Sequence, residues 1–193
     1  MRENASKSST EIREAVKAVR NRRPSFAPIL DFYEKVFAAQ EDSKSDVRID
    51  PSEIPQDSLA AKRKKGILPL IKVADCVGDV EAAKKLFEQL LRIAAASSPD
   101  LGRAAETLTQ ALGKGTYDPD KSFLNYLEGN EEYFQQIEKE LPINRSSLFF
   151  FIYQSIKPSL SVFAEMLSKD LPDGVVETGQ CPVCGSPPIL AMI

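Results

Sequence analysis

The 193-residue chain contains no histidine, only three cysteines and no apolar run that approaches the length of a membrane span. Without histidine, the chain cannot build a serine–histidine hydrolase around Ser146 and Ser147. The roughly 20 consecutive apolar residues that a transmembrane helix needs are missing. Three cysteines are too few for a disulfide scaffold, so a close pair of them is better explained by metal binding or redox chemistry.

Little excess charge is present either, since the net charge is −3. This balance disfavours non-specific binding to nucleic acid and to an anionic membrane surface. Residues 1–9 are polar, are expected to be frayed and lack an apolar signal core, which predicts a cytoplasmic protein. With 42% hydrophobic and 27% charged residues, the composition is that of a folded soluble domain rather than a disordered chain.

Two of the cysteines lie close together in the sequence Cys181-Pro182-Val183-Cys184-Gly185. The CxxCG spacing is typical of the metal-binding turn, or knuckle, of zinc ribbons and rubredoxins, where both thiolates face one metal and a glycine takes a positive φ. We therefore interpret Cys181 and Cys184 as metal ligands. A structural tetrahedral site needs four ligands, and the sequence continues for only nine residues after Cys184. The missing ligands are expected from another chain, for example in a homodimer, or from a longer polypeptide.

Residues 1–174 show apolar residues at helical spacing, which predicts seven or eight helices. The expected N-caps are Thr10, Ser25, Asp79, Ser98, Asp118, Asn130 and Asn144. The longest pattern follows Asn144; its wide apolar surface predicts a central helix, and Pro158 is expected to kink it. Residues 67–71 form a short apolar segment with a proline inside, which is expected to be buried in a conformation that the pattern leaves open.

The composition changes near Val175, where glycines, prolines and alternating apolar residues replace the helical pattern. This predicts a strand, the knuckle and a second strand that begins at Ile189. The predicted fold is therefore mainly α: a helical domain over residues 1–174, followed over residues 175–193 by the incomplete beginning of a rubredoxin-like or zinc-ribbon β-hairpin.

Several weaker signals have structural explanations. Cys76 lies among apolar residues and is expected to be a buried small hydrophobe rather than a third metal ligand. The acidic pairs at 118 and 120 and at 131 and 132 stand at helix starts, where they serve as caps and dipole partners rather than as catalytic acids and bases. Residues 113–116 resemble part of a phosphate loop, but the earlier glycine is absent, so a helix-ending turn is expected.

Three segments resemble the formate dehydrogenase accessory protein family, known as FdhE. Arg23-Pro24 followed by Ile29-Leu30-Asp31-Phe32-Tyr33 resembles an early segment of that family. Residues 151–160 resemble the proline-bearing helix before its metal domain. Residues 179–188, with the sequence GQCPVCGSPP, are close to its first CPxCGSxP knuckle. Family members carry further CxxC pairs that build two rubredoxin-like sites, and these pairs are absent here, which suggests a fragment, a truncated polypeptide or a gene with an early stop.

The resemblance implies an accessory role without catalysis. Such proteins assist the assembly of formate dehydrogenase and are thought to bind its catalytic subunit in the cytoplasm before export. In that role Cys181 and Cys184 would be ligands of iron or zinc, both of which accept tetrahedral thiolate sites. The helical domain would provide the partner surface, with Arg22, Arg23 and the basic run at residues 62–65 as candidates. The same basic run is also explained as a solvated helix end.

Two alternatives remain open. The first is a redox protein that uses the CxxC pair as a dithiol; the residues after Cys184, Gly185-Ser186-Pro187-Pro188, argue against the helix that would lower a thiol pKa. The second is a zinc ribbon that binds nucleic acid. The acidic charge balance and the lack of a basic, aromatic-rich ribbon surface count against it.

Overall fold

A computed structural model of the chain describes residues 2–50, 56–65, 67–71, 79–168, 171 and 179–185. These residues form eight α-helices and one 3₁₀ turn, Pro24–Phe26, and contain no strand. The helices are α1 Arg2–Arg22, α2 Ala27–Lys44, α3 Gln56–Lys65, α4 Val80–Ala95, α5 Pro99–Gly113, α6 Pro119–Glu128, α7 Glu131–Glu140 and α8 Arg145–Ser168. The predicted mainly helical fold is confirmed. The predicted strands before and after the knuckle lie outside the described residues.

Side-chain caps fix the starts of the middle helices, as the sequence predicts. The Asp79 carboxylate accepts from the Ala82 amide at 2.9 Å at the start of α4. Asp118 accepts from the Asp120 amide at 3.0 Å, and Asn130 accepts from the Tyr133 amide at 3.3 Å. Each cap satisfies a backbone donor that the first helical turn leaves unpaired. Ser98 does the same for α5, although its contact with the Leu101 amide is long at 3.5 Å.

The first two helices differ from the sequence prediction. Helix α1 begins at Arg2 rather than at Thr10, since no proline or glycine interrupts the chain before Arg22. Ser25 does not cap α2; it lies in the 3₁₀ turn, and Phe26 occupies the N-cap position without a side-chain hydrogen bond. The α1–α2 pair is instead tied together by Arg20, which forms ion pairs with Asp31 and, at 3.6 Å, with Glu34.

Helices α4 and α8 form the centre of the main hydrophobic core. Helix α8 packs against α2, α4, α5 and α6, which confirms the predicted central position. Aromatic rings fill the space between these helices: the Phe87 ring of α4 lies 6.2 Å from that of Phe151 and 5.9 Å from that of Phe123, centroid to centroid. Both contacts are edge-to-face, the geometry that the ring quadrupoles favour.

Pro158 lies inside α8, where it removes the amide that would bond to the carbonyl of Gln154. The buried side chain of Gln40, from α2, replaces that donor: its Nε2 lies 2.8 Å from the Gln154 carbonyl oxygen. The same Nε2 also lies 2.8 Å from the Gln154 side-chain oxygen. Because a partly buried carbonyl without a donor is costly, the hydrogen bond from Gln40 stabilises the contact between α2 and α8 at the point where Pro158 removes the helical donor. In the described part of the chain, no helix is both long and apolar enough to span a bilayer.

This link predicts a non-additive double mutant. Gln40→Leu should lower the free energy of unfolding by about 1–3 kcal/mol, since it leaves the partly buried Gln154 carbonyl without a donor. In a Pro158→Ala background the backbone amide at position 158 can donate to the Gln154 carbonyl. Gln40→Leu should therefore lower the free energy of unfolding by clearly less in that background. Urea unfolding followed by circular dichroism measures both costs, with Gln89→Leu on the exposed side of α4 as a control. Equal costs in the two backgrounds would contradict the link.

Candidate metal centre

The knuckle is a tight turn over residues 181–185. The amide of Gly185 donates to the carbonyl of Cys181 at 2.7 Å, which closes the turn around the two cysteines. Gly185 has a φ of 77°, as the sequence predicts for this position. The space beside Gly185 is also too small for a side chain, because a β-carbon at this position would lie 3.0 Å from Cγ of Pro69. Glycine is therefore required twice, for its backbone angle and for the close approach of Pro69.

The knuckle is fixed to the helical body by backbone hydrogen bonds. The amide of Leu70 donates to the carbonyl of Pro182 at 3.0 Å, and the amide of Ile71 donates to the carbonyl of Val183 at 2.9 Å. The apolar segment at residues 67–71 thus acts as the seat of the knuckle. Its predicted burial is confirmed for Leu70 and Ile71, whereas Ile67 is exposed.

A second hydrophobic cluster lies beneath this contact. Val183, between the two cysteines, is only 4% exposed and packs there with residues of the helical body. We call this group the knuckle cluster; its buried members are Leu59, Leu70, Ile71, Phe163, Leu167 and Val183. Burying a valine side chain contributes about 1.5–3 kcal/mol, so Val183 anchors the turn from within the CxxC spacing itself.

Lys62 completes the seat from α3. Its ammonium group donates to the carbonyl oxygens of Leu70 at 3.0 Å and of Pro69 at 3.3 Å. The basic run does lie at a helix end, as one interpretation of the sequence predicts. However, the half-buried Lys62 donates hydrogen bonds to the protein rather than being only solvated. Lys64 and Lys65 are exposed.

The two sulfurs lie at the border between the knuckle cluster and solvent. Cys181 and Cys184 are half-buried, pack against that cluster and are not joined by a disulfide. Soft thiolates on one turn suit zinc or iron, so the donor type fits the metals that the sequence predicts. Within the described residues, no group of three or more histidine, cysteine, aspartate or glutamate side chains could hold a metal ion. As a metal site, the described knuckle would provide two of the four ligands that are needed, and Cys76 lies outside the described residues.

Tyr153 brings α8 close to this site. Burial raises the pKa of the half-buried Tyr153 phenol, and the negative charge of Cys184 as a thiolate raises it further. The sequence pattern places Tyr153 beside the apolar stripe of α8 but gives no sign of its proximity to Cys184. That proximity arises from the fold, because the two positions are 31 apart in the sequence and the knuckle packs on α8 through Phe163 and Leu167.

The other polar candidates have the structural roles that the sequence predicts. Asp118 is the N-cap of α6, and Asp120 pairs with Lys84 at 3.6 Å. Glu131, at the start of α7, forms a 2.6 Å ion pair with Arg145. Helix α5 ends at Gly113, and the turn that follows is closed by Gly115 at a φ of 66°, so the confirmed role of residues 113–116 is that of a helix end.

The crowding at Gly185 predicts a selective effect of Gly185→Ala. The strained φ alone costs about 1–2 kcal/mol, and the contact with Pro69 adds to it. We expect amide hydrogen exchange at Leu70 and Ile71 to accelerate roughly tenfold or more, because their acceptors move away.

Gly129→Ala is the matched control, since Gly129 has a similar φ of 69° and no atom within 4 Å of a β-carbon. It should lower global stability without a selective change at Leu70 and Ile71. If both variants alter these two amides equally, the knuckle is not seated as described.

No family model, curated protein or solved structure matches this chain. Functional inference therefore depends on the residues of the chain itself. The feature that stands out among them is a two-thiol turn seated on a helical body.

Proposed function

We propose that this chain is a non-catalytic accessory factor for the maturation of formate dehydrogenase. The observation that supports the proposal is the seated knuckle: a CPVCG turn whose central Val183 is buried against helices α3 and α8. An independent ribbon would need no such anchor. A helical body that carries a thiolate turn is the combination expected from the resemblance of residues 151–160 and 179–188 to the accessory protein family.

In this proposal the cysteines hold iron or zinc. Cys181 and Cys184 would supply two thiolates, and the remaining ligands would come from a second chain or from a longer polypeptide. When bound, the metal would fix the two sulfurs in tetrahedral geometry and stiffen the turn. The chain itself contributes the seat: the amides of Leu70 and Ile71 hold the turn through two hydrogen bonds, and Lys62 braces the seat through two more.

The dithiol alternative is less well supported by this geometry. A reactive CxxC pair gains its low thiol pKa from a helix N-terminus or a nearby cation. Residues 182–184 form a turn, and the ammonium group of Lys62, in the seat, donates to the carbonyls of Pro69 and Leu70. Metal binding uses the turn as it stands, so we favour it.

The partner in this proposal is the catalytic subunit of formate dehydrogenase, bound in the cytoplasm. The turn between α1 and α2 is the best candidate for the contact surface. Arg22 and Arg23 are exposed there, and two large apolar side chains beside them, Phe26 and Ile29, are 48% and 55% exposed. Aromatic residues and arginine are the types that concentrate binding energy at protein interfaces.

Co-purification with the catalytic subunit tests the proposal. Phe26→Ser combined with Ile29→Ser should weaken the complex roughly tenfold or more, as expected for the loss of interface hot spots. Leu124→Ser is the matched control, because Leu124 is 53% exposed on α6, away from this turn, and its loss should have less than about a twofold effect. Failure of the unaltered chain to retain the catalytic subunit would refute the proposed function.

A further inference from the structure

A half-enclosed groove of about 240 Å³ lies between the end of α2 and the middle of α8. Phe37, Glu41 and Lys44 line it from α2, and Lys157 and Ser161 line it from α8. We call it the lysine groove. It lies next to Pro158, where Gln40 and Gln154 hold the two helices together, so its walls are fixed by buried hydrogen bonds.

The charges in the lysine groove do not balance. Lys44 pairs with Glu41 at 2.8 Å, and among the described residues Glu41 supplies the one carboxylate that lines the groove. Lys157 is half-buried and forms no ion pair with any residue that the structure describes; its ammonium instead lies 5.5 Å from the centre of the Phe37 ring. Two ammonium groups thus share one carboxylate in a partly desolvated place. Buried charges in proteins are normally paired, so the groove lacks one negative charge.

The lowered pKa of Lys157 is consistent with this excess of positive charge in the groove. Burial lowers the pKa of its ammonium, and the like charge of Lys44 lowers it further, while Glu41 opposes the shift. An anion beside Lys157 would relieve the first two effects. The Phe37 ring gives only a partial substitute, since a cation–π contact is weaker than a desolvated ion pair.

We propose that the lysine groove binds the carboxylate of a small organic acid with a short hydrocarbon chain. The carboxylate would pair with the ammonium of Lys157 and accept from the Ser161 hydroxyl, and the hydrocarbon part would lie against Phe37 and Pro158. The volume of the groove suits an acid of a few carbons rather than a nucleotide or another large ligand. This site is separate from the knuckle and does not depend on the proposed accessory role.

Butyrate is a suitable probe. Titration of the isotope-labelled protein with sodium butyrate, followed by amide chemical shifts, should give saturating shifts at the end of α2 and around Lys157. A dissociation constant on the order of millimolar is expected for a ligand of this size. Butylammonium chloride has the same chain with the opposite charge and should produce no saturating shift at these residues, and sodium chloride should produce none.

Variants identify the cation that binds. Lys157→Gln and Lys157→Met should each weaken butyrate binding by about tenfold or more; the methionine variant keeps an unbranched apolar side chain, so loss in both shows that the charge matters. Lys35→Gln removes an exposed lysine of α2 outside the groove and should change the constant less than about twofold. Unchanged thermal unfolding of the variants confirms that they fold.

Any of three results with butyrate and butylammonium would overturn the proposal: butyrate shifts that stay linear, butyrate binding that survives both substitutions of Lys157, or butylammonium shifts that match those of butyrate. A glutamate residue blocked at both ends tests the alternative source of a carboxylate, an acidic protein partner. If the blocked glutamate binds at least about tenfold more tightly than butyrate, the groove is a protein-docking site and the small-acid proposal is wrong.

Discussion

The seating of the knuckle on the helical body is the interaction on which the functional interpretation depends. Val183 fills the knuckle cluster from between the two cysteines, and the amides of Leu70 and Ile71 donate to the carbonyls of Pro182 and Val183 within the turn. A CxxC turn in solvent could point its sulfurs in many directions. Here the contacts of the protein itself place both sulfurs at the edge of a hydrophobic cluster, with Cys184 near Tyr153.

Helix α8 connects this site to the rest of the fold. Its first half, with Leu148 and Ile152, belongs to the main core, and its second half, with Phe163 and Leu167, belongs to the knuckle cluster. Pro158 lies between the halves, and Gln40 compensates for the hydrogen bond that the proline removes. The lysine groove opens at the same place. One helix therefore contributes to the main core and to the knuckle cluster, and next to its Pro158 it accepts the hydrogen bond from Gln40 of α2.

Local patterns in the sequence predicted much of the fold. The middle caps, the central position of α8 and the positive φ of Gly185 depend on neighbours in the chain, so propensity and spacing are sufficient to identify them. Two helix starts were predicted wrongly. Thr10 lies inside α1, which begins at Arg2, and Ser25 lies in a 3₁₀ turn rather than at the N-cap of α2. Helix ends are the least reliable part of such predictions.

The surroundings of the site could not be predicted, because they depend on residues distant in sequence. Gln40 is an ordinary polar residue in its own helix, and only the fold places it beside the Gln154 carbonyl. In the sequence, Lys62 belongs to a basic run that predicts a solvated helix end, yet its ammonium group donates to the carbonyls of Pro69 and Leu70 in the seat of the knuckle. The domain boundary at residue 174 and the strands beside the knuckle stay predictions, since they fall largely outside the described residues.

Cobalt titration tests most directly whether the seated knuckle is half of a thiolate metal site. Co²⁺ bound by thiolates gives a charge-transfer absorption whose intensity counts the sulfur ligands, and size-exclusion chromatography gives the number of chains. The predicted result is tetrahedral binding only where two chains share one metal, with far less than one metal on the monomer and complete loss in Cys181→Ser. One tightly held metal on each monomer, or metal binding that survives that substitution, would contradict the half-site.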